Sequence, residues 1–328
     1  MEQKVGIVVI GRNEGNRLKR CLQSIIGLAE KIVYVDSGST DGSVAFAVSL
    51  GIDVVELDMR IPFSAGRARN EGFFHLIEKY PDLAYVQFVD GDCELIEDWL
   101  DFARQHLDEN RSWAVVAGRR QERHPEHSVY NRLCDIEWNT QIGEAKACGG
   151  DFMIRSRVFQ ELKGFSPMVI AGEEPELCYR LRQKGWKIHR LDHQMTLHDA
   201  AITHFSQWWK RAVRSGHAYA HGYALHGREK ERYCLRDLLR IWIWIVVIPI
   251  FIVLSVLIFN SAFFFFFVVY FLYIVKITMD INCKLNNMKY SFLYATFNLF
   301  GKIPQLIGQI LFIIKFIFKR KFSIIEYN

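Results

Sequence analysis

The sequence predicts an α/β protein with a mostly parallel central sheet flanked by helices, followed by membrane helices. Three observations predict it. Over residues 1–100, short apolar runs alternate with segments of helical spacing, the pattern of strands and crossover helices. Each run ends in polar residues: Arg12-Asn13-Glu14, Asp36-Ser37-Gly38 and Asp90-Gly91-Asp92. From Ile241 the chain of 328 residues turns strongly apolar and aromatic, with an unbroken run from Phe263 to Phe267.

Residues 5–10 read as a buried strand. The run is too short, and wrongly flanked, for a secretory signal, so the soluble part is expected to remain in the cytoplasm. Residues 16–28 carry Leu18, Leu22, Ile25 and Ile26 at helical spacing. Residues 31–36 form a second strand ending in an acid, 41–50 a helix, 53–56 a short strand, 65–79 a helix and 85–89 a strand. This order places ligands at the carboxyl ends of the strands. Between 100 and 200 the pattern is less regular: strands at 113–118 and 151–155, helices at 157–162 and 174–184. The seven cysteines are scattered, without a C-x-x-C pair, so neither a disulfide framework nor a zinc ribbon is expected.

The positive charge is local. Lys210, Arg211, Arg214, Arg228, Lys230, Arg232, Arg236 and Arg240 stand against Glu229, Glu231 and Asp237. A basic stretch abutting an apolar segment reads as an anchor facing anionic lipid. No nucleic-acid motif accompanies it. Residues 241–259 are long enough to span a bilayer, with a kink at Pro249 and a turn at Asn260-Ser261. Residues 262–274 would return the chain, completing a hairpin over 241–279 with cytoplasmic basic flanks. Residues 303–318 are apolar but short and are expected to lie in the interface. The expected organisation is an α/β domain over 1–225, a basic segment over 226–240, the hairpin, and membrane-associated helices over 280–328. Multi-pass insertion in the inner membrane, with the α/β domain on the cytoplasmic face, follows from it.

Asp90-Gly91-Asp92 puts two carboxylates around a glycine at a strand end, where both can reach one hard cation, Mn²⁺ or Mg²⁺. The turn from Asp36 through Ser37 and Gly38 to Asp41 presents backbone N–H groups and a carboxylate to a nucleotide; it also suits a helix cap. No Walker A or G-x-G-x-x-G sequence is present, which disfavours P-loop ATPases and dinucleotide enzymes.

The ordered set formed by residues 9–14, 35–43, Arg67-Ala68-Arg69-Asn70, 89–92, Gly149-Gly150-Asp151 and 172–182 resembles the family 2 inverting glycosyltransferases of the GT-A fold. It covers roughly residues 4–215. The resemblance implies that Asn13, Glu14, Asp36, Ser37, Gly38, Arg69, Asp90, Gly91, Gly149, Gly150 and Asp151 bind a nucleotide-diphosphate-sugar, a UDP-sugar first among them. Asp36 would lie near the base and Arg69 near the diphosphate. It further implies that Asp90, Asp92 and His198 serve the metal, and that the acid pair Glu173-Glu174 is catalytic with Glu174 as general base, where the family usually has Asp. Inverting transfer requires such a carboxylate to take the acceptor hydroxyl's proton. Zinc on His189, His193, His198 and His204 is disfavoured, because no H-x-x-x-H with a partnering acid lies on one helix. Trp208, Trp209 and Arg211 partly resemble the Q-x-x-R-W motif of processive synthases, though here the tryptophans precede the arginine. They suit either an acceptor or diphosphate contact or plain helix packing. The expected acceptor is lipid-linked or glycan. Two alternatives are a non-catalytic membrane scaffold and a nucleotidyltransferase. The acids present weigh against the first, and the missing glycine-rich N-terminal loop against the second.

Overall fold

The computed structural model describes residues 4–29, 31–258 and 263–318. The chain divides into two units, Met1–Thr203 and His204–Asn328.

The first unit is built on one sheet of order β3-β2-β1-β4-β8-β6-β9-β5, with β7 paired to β9. The strands are β1 Val5–Gly11, β2 Lys31–Asp36, β3 Asp53–Glu56, β4 Tyr85–Asp90, β5 Cys93–Leu95, β6 Trp113–Glu122, β7 Gly143–Ala145, β8 Phe152–Arg155 and β9 Lys187–His198. β1 to β4 are parallel, as their apolar character predicts. Ile7, Val8, Val9, Val33, Val35, Val86, Phe88 and Val89 are buried, as strands covered by helices on both faces require. The other half is mixed: β8 runs antiparallel to β4 and β6, while β6 and β9 are parallel.

The helices of this unit are α1 Asn16–Ile25, α2 Ser43–Ser49, α3 Ala65–Lys79, α4 Trp99–Glu109, α5 Val129–Trp138, α6 Ser156–Glu161 and α7 Glu173–Gln183. α1 stops short of the expected residue 28 because Gly27 takes a left-handed φ of 86°, which ends the helix. α3 occupies the expected span, its Ser64 hydroxyl accepting the N–H of Arg67, an N-cap bond. Gly72 lets α3 lie on the sheet, since a Cβ there would stand 2.6 Å from Val8 and 2.7 Å from Val35. α4, α5, β5, β7 and β9 lie where the sequence pattern gave no element.

The parallel strands direct the ends of β1, β2 and β4 to one edge. Glu122 of β6 is in register with His198 of β9, and β8 begins opposite Phe88. His198 and Asp151 therefore arrive at the same edge as Asp90.

The second unit is helical: α8 Phe205–His226, α9 Leu235–Trp242, a π-helical turn Ile243–Val247, α10 Ile248–Ile258, α11 Phe263–Leu285, α12 Met288–Phe300 and α13 Lys302–Ile317. The π-turn sits immediately before Pro249, and the N–H of Ile248 bonds to Ile243 O. Proline lacks the N–H that an α-register needs, and a π-bulge is one way to absorb that loss. Asn260-Ser261, the expected turn, lies outside the described residues. Among the described residues two helical stretches, Leu235–Ser255 and Met288–Ile317, are long and apolar enough to cross a membrane. Residues 303–318, expected to lie in an interface, form most of α13, which follows α12 directly at Gly301. α13 packs closely on α8: a Cβ on Gly308 would stand 2.0 Å from Val213 O, and one on Gly216 1.9 Å from Gln305 O.

Candidate active site

The edge gathers three turns. The first follows β1. Asn13 adopts a φ of 55°; its N–H donates to Ser39 Oγ at 2.9 Å and its Oδ1 accepts Thr40 N–H at 2.8 Å. It therefore braces the turn after β2. There Asp36 Oδ1 accepts the Tyr34 hydroxyl at 2.8 Å, and Oδ2 accepts the N–H of Gly38 at 2.8 Å and of Ser39 at 2.7 Å. Ser37 N–H donates to Gly11 O. Gly38, at φ 83°, faces Met59 so closely that a Cβ would stand 3.1 Å from its thioether. Asp36 and Ser37 are both buried.

The third turn is Asp90-Gly91-Asp92. Gly91 N–H donates to Ile10 O at 2.7 Å, and a Cβ on Gly91 would stand 2.9 Å from that oxygen. Only glycine lets this turn close against β1. The two acids then meet different partners. Asp90 Oδ1 accepts Arg69 Nη2 at 2.6 Å, and its Oδ2 lies 3.3 Å from Arg120 Nη2. Burial pushes its carboxyl up, but the Arg69 and Arg120 guanidiniums outweigh that and hold it below the usual range. Asp92 Oδ2 stands 3.0 Å from His198 Nε2. Burial again opposes ionisation, and His198, with Arg17 and Arg120, overcomes it. Glu14 lies in the same field and goes the other way. Burial, then the Asp92 and Asp90 carboxylates, push it up to about 7.

Asp151 ties the turns to β8. Its Oδ1 accepts Asp90 N–H at 2.9 Å, and its Oδ2 accepts Arg120 Nε at 3.0 Å and the Thr196 hydroxyl at 2.9 Å. Gly149 borders Arg120. Gly150 has no room for a side chain: a Cβ would stand 2.3 Å from Asp90 Oδ2 and 2.7 Å from Arg69 Nη2. The acid pair opens α7 after Gly172, whose φ is 79°. Glu173 is buried. Glu174 Oε1 accepts Arg69 Nη1 at 2.7 Å. Asn13, Glu14, Asp36, Asp90, Asp92, Asp151, His198 and Glu174 thus meet at one sheet edge.

Trp208, Trp209 and Arg211 lie in the second unit, on α8. Trp208 is buried, stacked on Phe300 at 6.0 Å and edge-on to Phe297 at 5.1 Å. The sequence reading missed Arg120 and Thr196. Arg120 sits in a strand that runs four residues past the expected end at 118, and charged residues at a ligand edge were the available signal.

A divalent cation has candidate ligands at this edge. Ligand atoms of Asp92, Cys93 and His198 lie within 4.8 Å of one another, and His198 Nδ1 is buried without a hydrogen-bond partner. Burial pushes the Cys93 thiol well up. The carboxylate and imidazole of the set suit Mn²⁺.

Residues 6–162 match the profile of glycosyl transferase family 2. An uncharacterized glycosyltransferase of Rickettsia bellii is 38% identical over 120 residues, which are 35% of this chain and 38% of that protein. The chain spans less than two fifths of the length of the curated relatives it matches. Two solved structures share the fold. One is the mannosyltransferase PcManGT of Pyrobaculum calidifontis in complex with GDP-Man and Mn²⁺, with TM-score 0.59, 14% identity, and coverage of 91% of this chain and 88% of that one. The other is S. aureus TarS 1-349, with TM-score 0.50, 13% identity, and coverage of 99% and 97%. Over residues 6–162 the chain is therefore similar to glycosyl transferase family 2, and it shares its fold with the solved mannosyltransferase.

Proposed function

We propose that this chain transfers a sugar, with inversion, from a nucleotide-diphosphate-sugar to an acceptor hydroxyl at a membrane surface. The observation that carries the reading is the single guanidinium of Arg69 between Glu174 and Asp90, 2.7 and 2.6 Å away. It brings a carboxylate suited to proton abstraction beside the turn suited to a diphosphate. The acceptor oxygen bonds to the sugar's C1, the C1–O bond to the diphosphate breaks with its electron pair, and Glu174 takes the hydroxyl proton. The turns at Asn13–Glu14 and Asp36–Gly38 hold the nucleoside, and the Gly149-Gly150-Asp151 loop closes on the donor. Asp92 and His198 would hold Mn²⁺ or Mg²⁺. When bound, the cation offsets charge developing on the leaving diphosphate. The PcManGT complex with GDP-Man and Mn²⁺ supports that expectation; a UDP-sugar is the first donor to test here.

The membrane reading is supported by Leu235–Ser255, which exposes Leu239, Ile243, Val247, Ile250 and Phe251 next to Arg236 and Arg240. Aliphatic exposure beside basic residues suits a bilayer with anionic headgroups. The acceptor would then be a lipid-linked or growing glycan, met on the cytoplasmic face.

The test is a donor screen by thermal shift with Mn²⁺ present, followed by product analysis with a membrane-lipid extract. Turnover by Glu174→Gln equal to the parent would remove the base assignment. Absence of turnover with every donor and acceptor tried, despite nucleotide binding, would favour a scaffold.

A further inference from the structure

We infer that Arg69 and Asn70 are positioning residues that aim Glu174, and that Arg69 is not a ligand of the donor's diphosphate. The inference rests on Glu174 being the base. It starts from the first turns of α3, Ala65-Gly66-Arg67-Ala68-Arg69-Asn70, which lie against the segment leading into α7.

Asn70 treats that segment as a strand would. Its Nδ2 donates to Phe165 O at 2.8 Å, and its Oδ1 accepts Phe165 N–H at 2.8 Å. The neighbouring Gly164 has a φ of 68°, and a Cβ there would stand 2.2 Å from Asn70 Oδ1. Both backbone and space therefore demand glycine. Gly66 closes the other side: a Cβ would stand 3.2 Å from Phe165 Cβ and 3.5 Å from Glu173 Cβ. The two helices are thus pinned before any side chain of the acid pair is placed.

Arg69 then reaches through this contact. It is only 2% exposed. Nη1 donates to Glu174 and Nη2 to Asp90, and the guanidinium lies 5.6 Å from the Phe165 ring centroid. A planar fork fixed at both tips and stacked on a ring has little freedom to turn. Both Nη groups are committed to carboxylates and Nε is buried, so a phosphate would have to share an Nη whose direction the carboxylates already set. What it does instead is hold one oxygen of Glu174 and leave Oε2 for the acceptor proton. Glutamate has one more rotatable bond than aspartate would. The clamp removes that freedom, and misplacement by about 1 Å can cost about 10²-fold in rate.

The test uses the full chain in detergent with Mn²⁺, the donor that turns over, and UDP and GDP as binding probes. Arg69→Lys offers one nitrogen where two carboxylates need partners. Asn70→Ser loosens the helix contact without touching a charge, and serves if Arg69→Lys does not fold. Each is expected to lower kcat at least tenfold while the nucleotide's Kd stays within threefold of the parent. A tenfold or greater rise in Kd in Arg69→Lys would make Arg69 a diphosphate ligand and overturn the inference. So would unchanged kcat in either folded variant. Glu174→Gln is measured alongside: if it keeps full turnover, the base reading and this inference fall together, whereas an inactive Glu174→Gln with intact Arg69 and Asn70 variants sinks this inference alone.

Discussion

Replacing Asp151 separates a structural carboxylate from a chemical one. The side chain has no exposure and accepts three hydrogen bonds, from Asp90 N–H, Arg120 Nε and the Thr196 hydroxyl. Asp151→Ala strands all three donors. Arg120 is left with Asp90 Oδ2 at 3.3 Å, too long to replace the lost pair. Removing one partner of a buried pair costs about 3–5 kcal/mol. For a unit of this size that lowers the melting midpoint by roughly 6–20 °C. Asp151→Asn keeps the shape but not the chemistry. Whichever way the amide turns, its NH₂ faces a donor, either Asp90 N–H or the Arg120–Thr196 pair. One strong bond is lost, about 1.5–3 kcal/mol, so Asn falls between Ala and the parent. The assay is a circular-dichroism melt in detergent, with hydrogen exchange on peptides covering residues 85–92 to locate the loosening. Both variants melting within 2 °C of the parent, with protection at Asp90 intact, would refute the claim that Asp151 holds this edge together; the 2 °C threshold is about 1 kcal/mol or less.

Three further outcomes follow from the geometry. Asp92→Ala and His198→Ala should each weaken Mn²⁺ binding at least tenfold in titration calorimetry with UDP present, and intact affinity in both would place the cation elsewhere. Trp208→Ala should cost about 3–5 kcal/mol by loss of core volume and Trp208→Phe much less; a folded Trp208→Phe without turnover would instead point to contact with substrate. His217 gives a pH dependence. Burial first, then the positive neighbours His221, Lys315 and Arg214, hold its imidazole down to about 4. The unfolded chain takes up the proton near pH 6.5 and the folded one does not, so stability is full above about pH 6.5 and falls towards pH 4. The loss amounts to about 3 kcal/mol, and His217→Gln should flatten the slope in pH-resolved melts.

The parallel half of the sheet was legible because each strand is an apolar run closed by a polar turn, and α3 occupies the span 65–79 expected from the sequence. The second half was not. β9 spans twelve residues that include Lys187, His189, Arg190, Asp192, His193 and His198, and its polar members find partners far away in sequence: His189 stacks on Trp113 at 3.7 Å. No local pattern announces such a strand. α4 does carry a helical pattern in Trp99, Leu100, Ala103 and Leu107, but it follows the acid-rich stretch Glu94 to Asp98, which reads as loop. Arg119 and Arg120 show the same limit within the site. Register shifts between β6 and β9 at these residues send Arg119 to Asp135 at 2.6 Å and Arg120 to Asp151. Spacing alone cannot tell which arginine faces the site.

The same limit applies to Asp90-Gly91-Asp92. As a triplet its two acids are equivalent ligands for one cation, and the folded site makes them unequal. Both oxygens of Asp90 face guanidiniums and its N–H is held by Asp151. Asp92 instead meets an imidazole at Oδ2 and only the weak Cys93 thiol donor at Oδ1, 3.6 Å away, and that imidazole is itself a metal-binding group. A cation approaching Asp90 meets two guanidiniums bonded to it, whereas at Asp92 the bonded cationic partner is a histidine, with Arg17 and Arg120 also lowering the carboxyl. We propose Asp92 with His198 as the cation pair, with Asp90 organising Arg69 and Arg120. The two roles separate in one comparison. Asp90→Asn should disturb folding and the aim of Glu174 while retaining Mn²⁺ affinity, and Asp92→Asn should lose Mn²⁺ affinity in a protein that melts like the parent. If Asp90→Asn abolishes Mn²⁺ binding in a protein of parental stability, the two acids share the cation after all, and the arginines must yield when it binds.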